Sequence, residues 1–476
     1  MTKRISITTT LPYVNADPHI GFALEIVQAD AYARYQRLVG NEVFFNTGTD
    51  EHGIKIYRKA QENNEDPQGY VDRYAVRFDA LREKLNLSYD AFIRTTDKKH
   101  IAAAQEFWKR CEASGDIYKK MYVVKYCVGC ELEKMESELD ENGQCPLHPG
   151  KDLELIEEEN YFFRWSKYQE KLLALYDERP GFVVPSHRLT EIRAFVERGL
   201  QDFSISRVKE KMPWGIPVPG DEEQVMYVWF DALVNYISTL DWPNETYKKW
   251  WPSIQFAGKD NLRQQAAMWQ AMLCSAGIEP SKQIMIHGFI TSGGQKMSKS
   301  VGNVVNPVEI IDEYNTDVLR YVLLRHMQPF EDSDFTHERL SENYTAHLVN
   351  GLGNVVSRVM KLAETHLTEP VACPEAAPFP QEYTEAIERY AFNEAMDYIW
   401  ERIGKVDERM ATEEPYKVVK TDLEKGKTIL RELATELYEI GRLLQPFMPE
   451  TSDAIKNTVL ANKKPEALFP RIVRSE

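Results

Sequence analysis

Residues Ile5 to Glu25 read ISITTTLPYVNADPHIGFALE, and this stretch decides the fold. The β-branched run Ile5 to Thr10 predicts a strand. A Pro- and Asn-bearing turn follows, and His19-Ile20-Gly21 then opens a helical pattern over Phe22 to Leu38. A helix that starts at the C-terminal end of a strand aims backbone N–H groups and a partial positive charge above the sheet, where phosphate is a natural occupant. His19 adds a side-chain donor there, and Gly21, lacking a Cβ, lets an adenine ring lie against the backbone. Strand-loop-helix turns also serve as plain structural turns, so both readings stay open on this stretch alone.

The 476 residues suffice for two to four domains, and 43% hydrophobic content for real cores. No apolar run approaches the roughly 18 residues of a membrane span, and MTKRISITTT lacks an apolar signal core, which predicts a cytoplasmic protein without membrane association. The net charge of −16 excludes a general nucleic-acid coat but leaves room for a local basic face. Of six cysteines, Cys127, Cys130 and Cys145 cluster, which in a cytosolic chain points to metal rather than disulfide. Cys127-Val-Gly-Cys130 and Cys145-Pro-Leu-His148 form a C-x2-C…C-x2-H arrangement whose four donors converge on one tetrahedral ion. Four protein ligands leave no open position, so one structural Zn²⁺ is expected. The acidic stretch Glu131 to Glu159 reads as a solvated face.

A second strand, Glu42 to Asn46, runs into Thr47-Gly-Thr-Asp-Glu-His-Gly53 at the sheet edge where open parallel sheets bind ligands. Asp50 there either accepts a substrate ammonium or caps the helix beginning near Ile54. Tyr161 to Trp214 reads as helical with aromatic stripes, and Arg207 as a surface residue. Val225 to Ala232 is a strand entering a helix that carries Asn235 and Tyr236; Trp229 and Tyr236 wall an apolar pocket or simply pack. Ile254 to Ala257 leads into Gly258-Lys-Asp260, and Gln283 to Ile290 is a buried strand. Then comes Gly293-Gly294-Gln-Lys296-Met-Ser-Lys299-Ser300-Val-Gly302, two ammonium groups on a Gly-bounded loop whose natural partner is a polyphosphate.

His19-Ile-Gly21 and Lys296-Met-Ser-Lys-Ser300 in one chain, with the Cys3His knuckle between them, resemble the class I aminoacyl-tRNA synthetases, and specifically the methionyl-tRNA synthetases. The resemblance implies an α/β fold: a Rossmann-like parallel sheet with an inserted zinc-bearing connective domain and a C-terminal all-α anticodon-binding bundle. The implied boundaries are 1–114 and 225–290 for the catalytic halves, 115–224 for the insertion, 291–340 for the signature loop and stem-contact module, and 341–476 for the bundle. It implies ATP-dependent ligation of L-methionine to initiator and elongator tRNA(Met) through methionyl adenylate, with Mg²⁺ accompanying ATP. His19, Lys296 and Lys299 fall at the family's catalytic positions, and Gly21, Gly258, Asp260 and Ser298 at further ATP contacts. Leu11, Tyr13, Asp50, Trp229, Ala232, Tyr236 and His287 fall at its methionine pocket, with Tyr13 and His287 as polar limits. Arg207 matches a position near the active site. Asn354, Arg358 and Tyr416 match positions that read the anticodon. Residues 341–476 hold 17 Lys and Arg against 23 Asp and Glu, so RNA contacts there must be local rather than a basic coat.

One departure stands out: the family's first signature ends in a second His, and here that position is Phe22. Losing one such donor costs about a hundredfold in rate by analogy with oxyanion-hole deletions. A tRNA-binding relative with failed adenylation is therefore one alternative, and a nucleotidyltransferase acting on a small acid another. The insertion is too short for a large editing domain, and the terminal Ala467-Leu-Phe-Pro-Arg-Ile resembles the family's segment that packs back on the body, with a monomer implied.

Overall fold

The structure, a computed structural model, describes residues 2–134, 138–297, 303–371 and 377–472. Its centre is a six-stranded, wholly parallel sheet in the order Ala91–Arg94, Glu42–Thr49, Arg4–Thr9, Ile254–Gly258, Gln283–His287, Val183–Val184. Chain order reverses between Arg4–Thr9 and Ile254–Gly258, so the crevice above their C-terminal ends is the topological switch point at which such sheets bind ligands.

Both faces of the sheet are covered, as a parallel sheet requires. Alternation along single strands shows the division: Phe256 and Met285 face a core built from the first helix (Ile20–Leu38) and the C-terminal bundle, while Ala257, Ile284 and Ile286 face a second core that includes Phe107, Trp242 and Trp269. The first helix is buried along most of its length, which is why its polar residues Glu25, Gln28, Asp30 and Gln36 are informative.

The insertion is a long antiparallel ribbon, Ile117–Cys127 against Glu154–Phe163, with the cysteine-bearing turn at its far end. Its helices Gln169–Glu178 and Ser186–Glu197 are separated by the edge strand Val183–Val184 and give way to short strands at Phe203–Ser204 and Ser206–Val208. Tyr161 to Phe163 end the ribbon strand, so the helical reading of Tyr161 to Trp214 holds only for those two helices and the turn Trp165–Tyr168 before them. Two further boundaries differ from the sequence expectation. Thr47 to Thr49 continue the second strand rather than starting a turn. The strand expected over Gln283 to Ile290 ends at His287, because the chain passes close to Glu331 and Asp332 at Gly288, where a Cβ would lie 2.2 Å from the Glu331 backbone.

The C-terminal region is a helical bundle, Asn354–His366, Gln381–Glu388, Phe392–Thr412, Pro415–Thr421, Leu423–Leu444 and Pro449–Ala461. The terminal segment packs back as expected: the Tyr344 hydroxyl donates to the Pro470 carbonyl at 2.5 Å and Phe469 meets its ring edge-on. No helix among the described residues is long and apolar enough to cross a membrane.

Arg320, on the helix Thr316–Tyr321, is completely buried where three parts of the chain meet. It donates to the carbonyls of Leu85 (3.1 Å), Pro446 (3.0 Å) and Phe447 (2.8 Å) and pairs with Asp30 at 2.8 Å. Asp30 also accepts from Ser88 N and Oγ and from Arg34. With all three guanidinium nitrogens partnered, removing the guanidinium takes one of two cations from a buried carboxylate and leaves three carbonyls without its donors. Arg320→Ala is expected to lower unfolding free energy by about 3–5 kcal/mol in urea titrations; a loss below about 1 kcal/mol would contradict this role.

Candidate active site

The loop after the first strand carries Leu11 and Tyr13 across to the end of the second: Asp50 N donates to Pro12 O (3.0 Å) and Val14 N to Asp50 O (3.3 Å), a parallel bridge between Tyr13 and Asp50. Asp50 does not cap the following helix, Ile54–Glu62, whose N-cap is Gly53 without a side-chain bond. Its carboxyl is instead buried, and Oδ1 has no hydrogen-bond partner among the described residues. Burial first, then the charges of Asp231 and Glu131, push its pKa well above the ordinary carboxylate value. The surrounding acids are individually satisfied. Asp231 accepts from His52 Nδ1 (2.6 Å) and His100 Nε2 (2.8 Å), and these imidazoles hold its pKa low against the opposing effect of burial. Glu51 is gripped by Arg94 in a bidentate pair at 2.7 and 2.9 Å. Asp50 is thus a buried carboxyl with one oxygen left unpartnered among the described residues.

Tyr13 and Trp229 pack on one small apolar cluster of Tyr126, Tyr227 and Val228. Ala232 and Tyr236 are buried on the following turns, and the Tyr236 hydroxyl accepts from Gln265 Nε2 at 2.7 Å. His287 closes the strand beside Gly258, where a Cβ would sit 3.6 Å from its ring and 2.8 Å from Asp260 Oδ1. His287 Nε2 donates to Glu25 (2.9 Å) and Nδ1 to the Gly288 carbonyl (2.7 Å). Two acceptors on two ring nitrogens specify the imidazolium. Burial alone would lower its pKa; the Glu25 bond and charge outweigh burial and raise it. Both expected polar limits are therefore engaged within the protein, His287 with Glu25 and Tyr13 with Glu131, and what they offer a ligand is ring surface.

His19 is the N-cap of the first helix. Its Nδ1 accepts from Gly21 N at 3.1 Å, which leaves the proton on Nε2. The ring reaches solvent, yet the protein packed around it lowers its pKa and favours this neutral form. A Cβ at Gly21 would lie 2.9 Å from the His19 ring, so glycine is what allows the ring to fold over the helix end; Met297 of the second signature lies 4.0 Å from the same point. The two signatures meet there. Ser298 and Lys299 lie outside the described residues, and Lys296 ends a short strand, Gln295–Lys296. Phe22 is half-buried and meets Phe78 edge-on at 5.4 Å, in a cluster with Val14, Ile56 and Tyr70.

At the knuckle, ligand atoms of Cys127, Cys130, Cys145 and His148 all lie within 4.8 Å of one another. The separations Cys130 Sγ to Cys145 Sγ of 3.4 Å and Cys130 Sγ to His148 Nδ1 of 3.2 Å suit tetrahedral ligation at the ~2.3 Å zinc–sulfur distance. This is the donor set of a structural zinc site. Gly129 is forced, because a Cβ there would come 2.4 Å from His148 Cγ.

Several functional-looking residues escaped the sequence reading. Glu131 is only 1% exposed and reaches Tyr13, and Glu158 is buried, which corrects the solvated reading of the acidic stretch. Arg207 is also buried, its guanidinium over the Tyr126 and Tyr227 rings, rather than on the surface. Glu25, His52, His100 and Asp231 were passed over; their one signal is a charged or polar residue inside an apolar run. On the bundle, Asn354 is exposed one turn before Arg358, which pairs with Asp407 at 2.6 Å, and Tyr416 is 40% exposed.

A parallel sheet with an N-terminal His-Ile-Gly helix cap, Met297 of the Lys-Met-Ser-Lys-Ser signature beside it and a zinc knuckle inserted between sheet halves defines a class I aminoacyl-tRNA synthetase. The family model described as tRNA synthetases class I (M) matches residues 5–152 and 132–360. The methionine–tRNA ligase of Thermosynechococcus vestitus is 40% identical over 96% of this chain and 90% of its own, and that of Brucella suis 38% identical over 100% and 99%. Mycobacterium tuberculosis methionyl-tRNA synthetase in complex with methionyl-adenylate superposes with a TM-score of 0.90 at 34% identity, over 99% of both chains. The chain belongs to the methionyl-tRNA synthetase family, and its activity is ATP-dependent ligation of methionine to tRNA through methionyl adenylate.

The His287–Glu25 pair makes stability pH-dependent. With the folded pKa of His287 above its unfolded value, its contribution is full below about pH 6.5 and is lost as pH rises through the folded value. Glu25→Gln should flatten the fall in unfolding free energy between about pH 6 and pH 9; an unchanged slope would refute the imidazolium assignment.

Proposed function

We propose that methionine occupies the pocket of Leu11, Tyr13, Trp229, Ala232, Tyr236 and His287 with its ammonium on Asp50. The observation that carries this is the unpartnered, buried Oδ1 of Asp50 in a pocket where every other acid has its counter-group. A bound ammonium supplies the missing partner and restores the ionised carboxyl. The Tyr236 phenol accepts from Gln265 and keeps its own proton for a soft thioether acceptor. Ring surfaces set the size limit, so discrimination against apolar side chains one methylene different is about 1–3 kcal/mol.

ATP lies across the switch point, its adenosine at Gly258 and Asp260 and at Gly21, its phosphates near His19, with Lys296, Ser298 and Lys299 on the signature loop. His19 offers a neutral Nε2–H donor. The methionine carboxylate attacks the α-phosphorus, pyrophosphate leaves, and a ribose hydroxyl of the 3′-terminal adenosine of tRNA(Met), initiator or elongator, then attacks the mixed anhydride's carbonyl, giving the ester with AMP leaving. Mg²⁺ accompanying ATP supplies charge neutralisation on the phosphates. One zinc ion at Cys127, Cys130, Cys145 and His148 is structural. The catalytic halves are 1–114 and 225–290, with 115–224 inserted, 291–340 below the tRNA bend and 341–476 binding the anticodon. There Asn354, Arg358 and Tyr416 read bases; the exposed Arg358–Asp407 pair costs little to exchange for a nucleotide. Cytoplasmic residence and a monomeric state complete the reading.

Amino-acid-dependent ATP–pyrophosphate exchange tests it, with methionine against leucine, valine, cysteine and no amino acid, and Phe22→His in parallel. Exchange with methionine alone is expected, and Asp50→Asn should cut kcat/KM for methionine by about a hundredfold. Silence from the parent with recovery in Phe22→His would assign failed adenylation to Phe22; silence from both would overturn the proposal.

A further inference from the structure

The metal knuckle sits beside the amino-acid pocket rather than remote from it, and one residue makes the connection. Glu131 follows Cys130 directly. Its backbone is left-handed (φ 49°), a conformation that non-glycine residues hold only where surrounding contacts fix it. Those contacts are present. The Tyr227 hydroxyl donates to the Glu131 carbonyl, and Lys55 Nζ donates to the Gly129 carbonyl at 2.5 Å, tying the knuckle turn to the helix that follows Asp50. The side chain then turns inward: Glu131 Oε2 accepts from the Tyr13 hydroxyl at 2.5 Å and Oε1 from Lys55 N at 3.3 Å. Gly53 (φ 112°) leaves the room, since a Cβ there would lie 2.9 Å from both Glu131 Oε2 and the Tyr13 oxygen.

We propose that Glu131 is a positioning residue for methionine: carried into the cleft by the knuckle, its carboxylate anchors the Tyr13 hydroxyl and so fixes the ring that walls the amino-acid pocket. This rests on Tyr13 lining that pocket. The knuckle thereby has a second task besides holding the insertion together, because the turn that places Cys130 on the metal also places Glu131 on Tyr13. Without the anchor the Tyr13 ring gains freedom that methionine must remove on binding, a cost that falls on methionine and not on ATP.

The test compares Glu131→Ala, Glu131→Gln, Tyr13→Phe, Tyr13→Ala and the double variant Glu131→Ala/Tyr13→Phe in the full-length, metal-loaded protein. Zinc content and melting temperature are measured on each, methionine binding by tryptophan fluorescence, and KM for methionine and for ATP separately by pyrophosphate exchange. Glu131→Ala should raise Kd and KM for methionine about tenfold and leave KM for ATP within about twofold. Glu131→Gln, which still accepts from the phenol, should recover most of the loss, and in the Tyr13→Phe background Glu131→Ala should add less than about twofold. Should the alanine variant lose zinc or fail to fold, Glu131→Gln against Tyr13→Phe carries the comparison, both expected to raise methionine KM selectively and the phenylalanine the more. Equal effects on methionine and ATP, no effect on either, or an undiminished Glu131 effect without the hydroxyl overturns the proposal. If Tyr13→Ala leaves methionine affinity unchanged, it is the pocket assignment that fails.

Discussion

The buried Asp30–Arg320 pair is the constraint on which the arrangement of the parts depends. Two charges taken fully out of water are tolerated only when each remaining lone pair and proton has a partner, and here the partners come from separate regions: the carbonyls of Leu85, Pro446 and Phe447 and the amide and hydroxyl of Ser88. The pair can form only when the first helix, the Thr316–Tyr321 helix and the end of the bundle's long helix are in register. The same first helix carries His19 at its cap and Glu25 one and a half turns in. From Ile20 to Asp30 is ten residues, about 15 Å of helix. One rigid rod therefore runs from the His19 cap past the Glu25–His287 pair to the bundle junction, and what fixes the bundle against the sheet also fixes His19 above it.

Around Asp50 the physical logic is one of leaving a single carboxyl without a counter-group. Glu25, Glu51, Asp231 and Glu131 are all nearly or fully buried, an arrangement that would be ruinous if they were bare. Each is closed by a dedicated partner: His287 and Thr10, Arg94 and Thr96, His52 and His100, Tyr13 and Lys55. Burial first, and then the charges of Asp231, Glu131 and Glu51, nevertheless raise the pKa of Asp50. The fold thus holds Asp50 at an electrostatic cost, a buried carboxyl whose Oδ1 has no partner among the described residues.

Much of this was legible in the sequence, for identifiable reasons. Strand, turn and helix at Ile5 to Leu38 follow from β-branching and apolar periodicity, and the Cys127, Cys130, Cys145, His148 set follows from ligand spacing, because local geometry dictates both. The pocket's electrostatics were not legible: Glu131 sits in an acidic run that composition assigns to solvent, and only the left-handed turn after Cys130 swings it inward. Arg207 escaped for the same reason, since nothing local to Ser204-Ile-Ser-Arg207 announces that its guanidinium will lie over the Tyr126 and Tyr227 rings. Partners far apart in sequence decide burial, and a charged residue's own neighbours carry little information about it.

The helix N-terminus itself requires a revised physical account. Its first amides are not free: Ile20 N donates to the Val305 carbonyl at 3.0 Å, Gly21 N to His19 Nδ1, and Phe22 N to His19 O at 3.0 Å. This end presents the helix dipole and the His19 Nε2–H rather than a row of unpaired donors. The bond from Ile20 to Val305 also ties the first signature to the chain just beyond the second, so the root of the signature loop is anchored at the cap even as the Gly-bounded segment before it carries the lysines. Phe22 fits this scheme. Its ring closes an apolar cluster between the first helix and Phe78 of the Pro67–Asp79 helix, which stabilises the cap from below at the expense of a donor above. Donor capacity at this end is then concentrated in His19, whose ring orientation depends on Gly21, and the cap presents a single preorganised donor backed by the helix field.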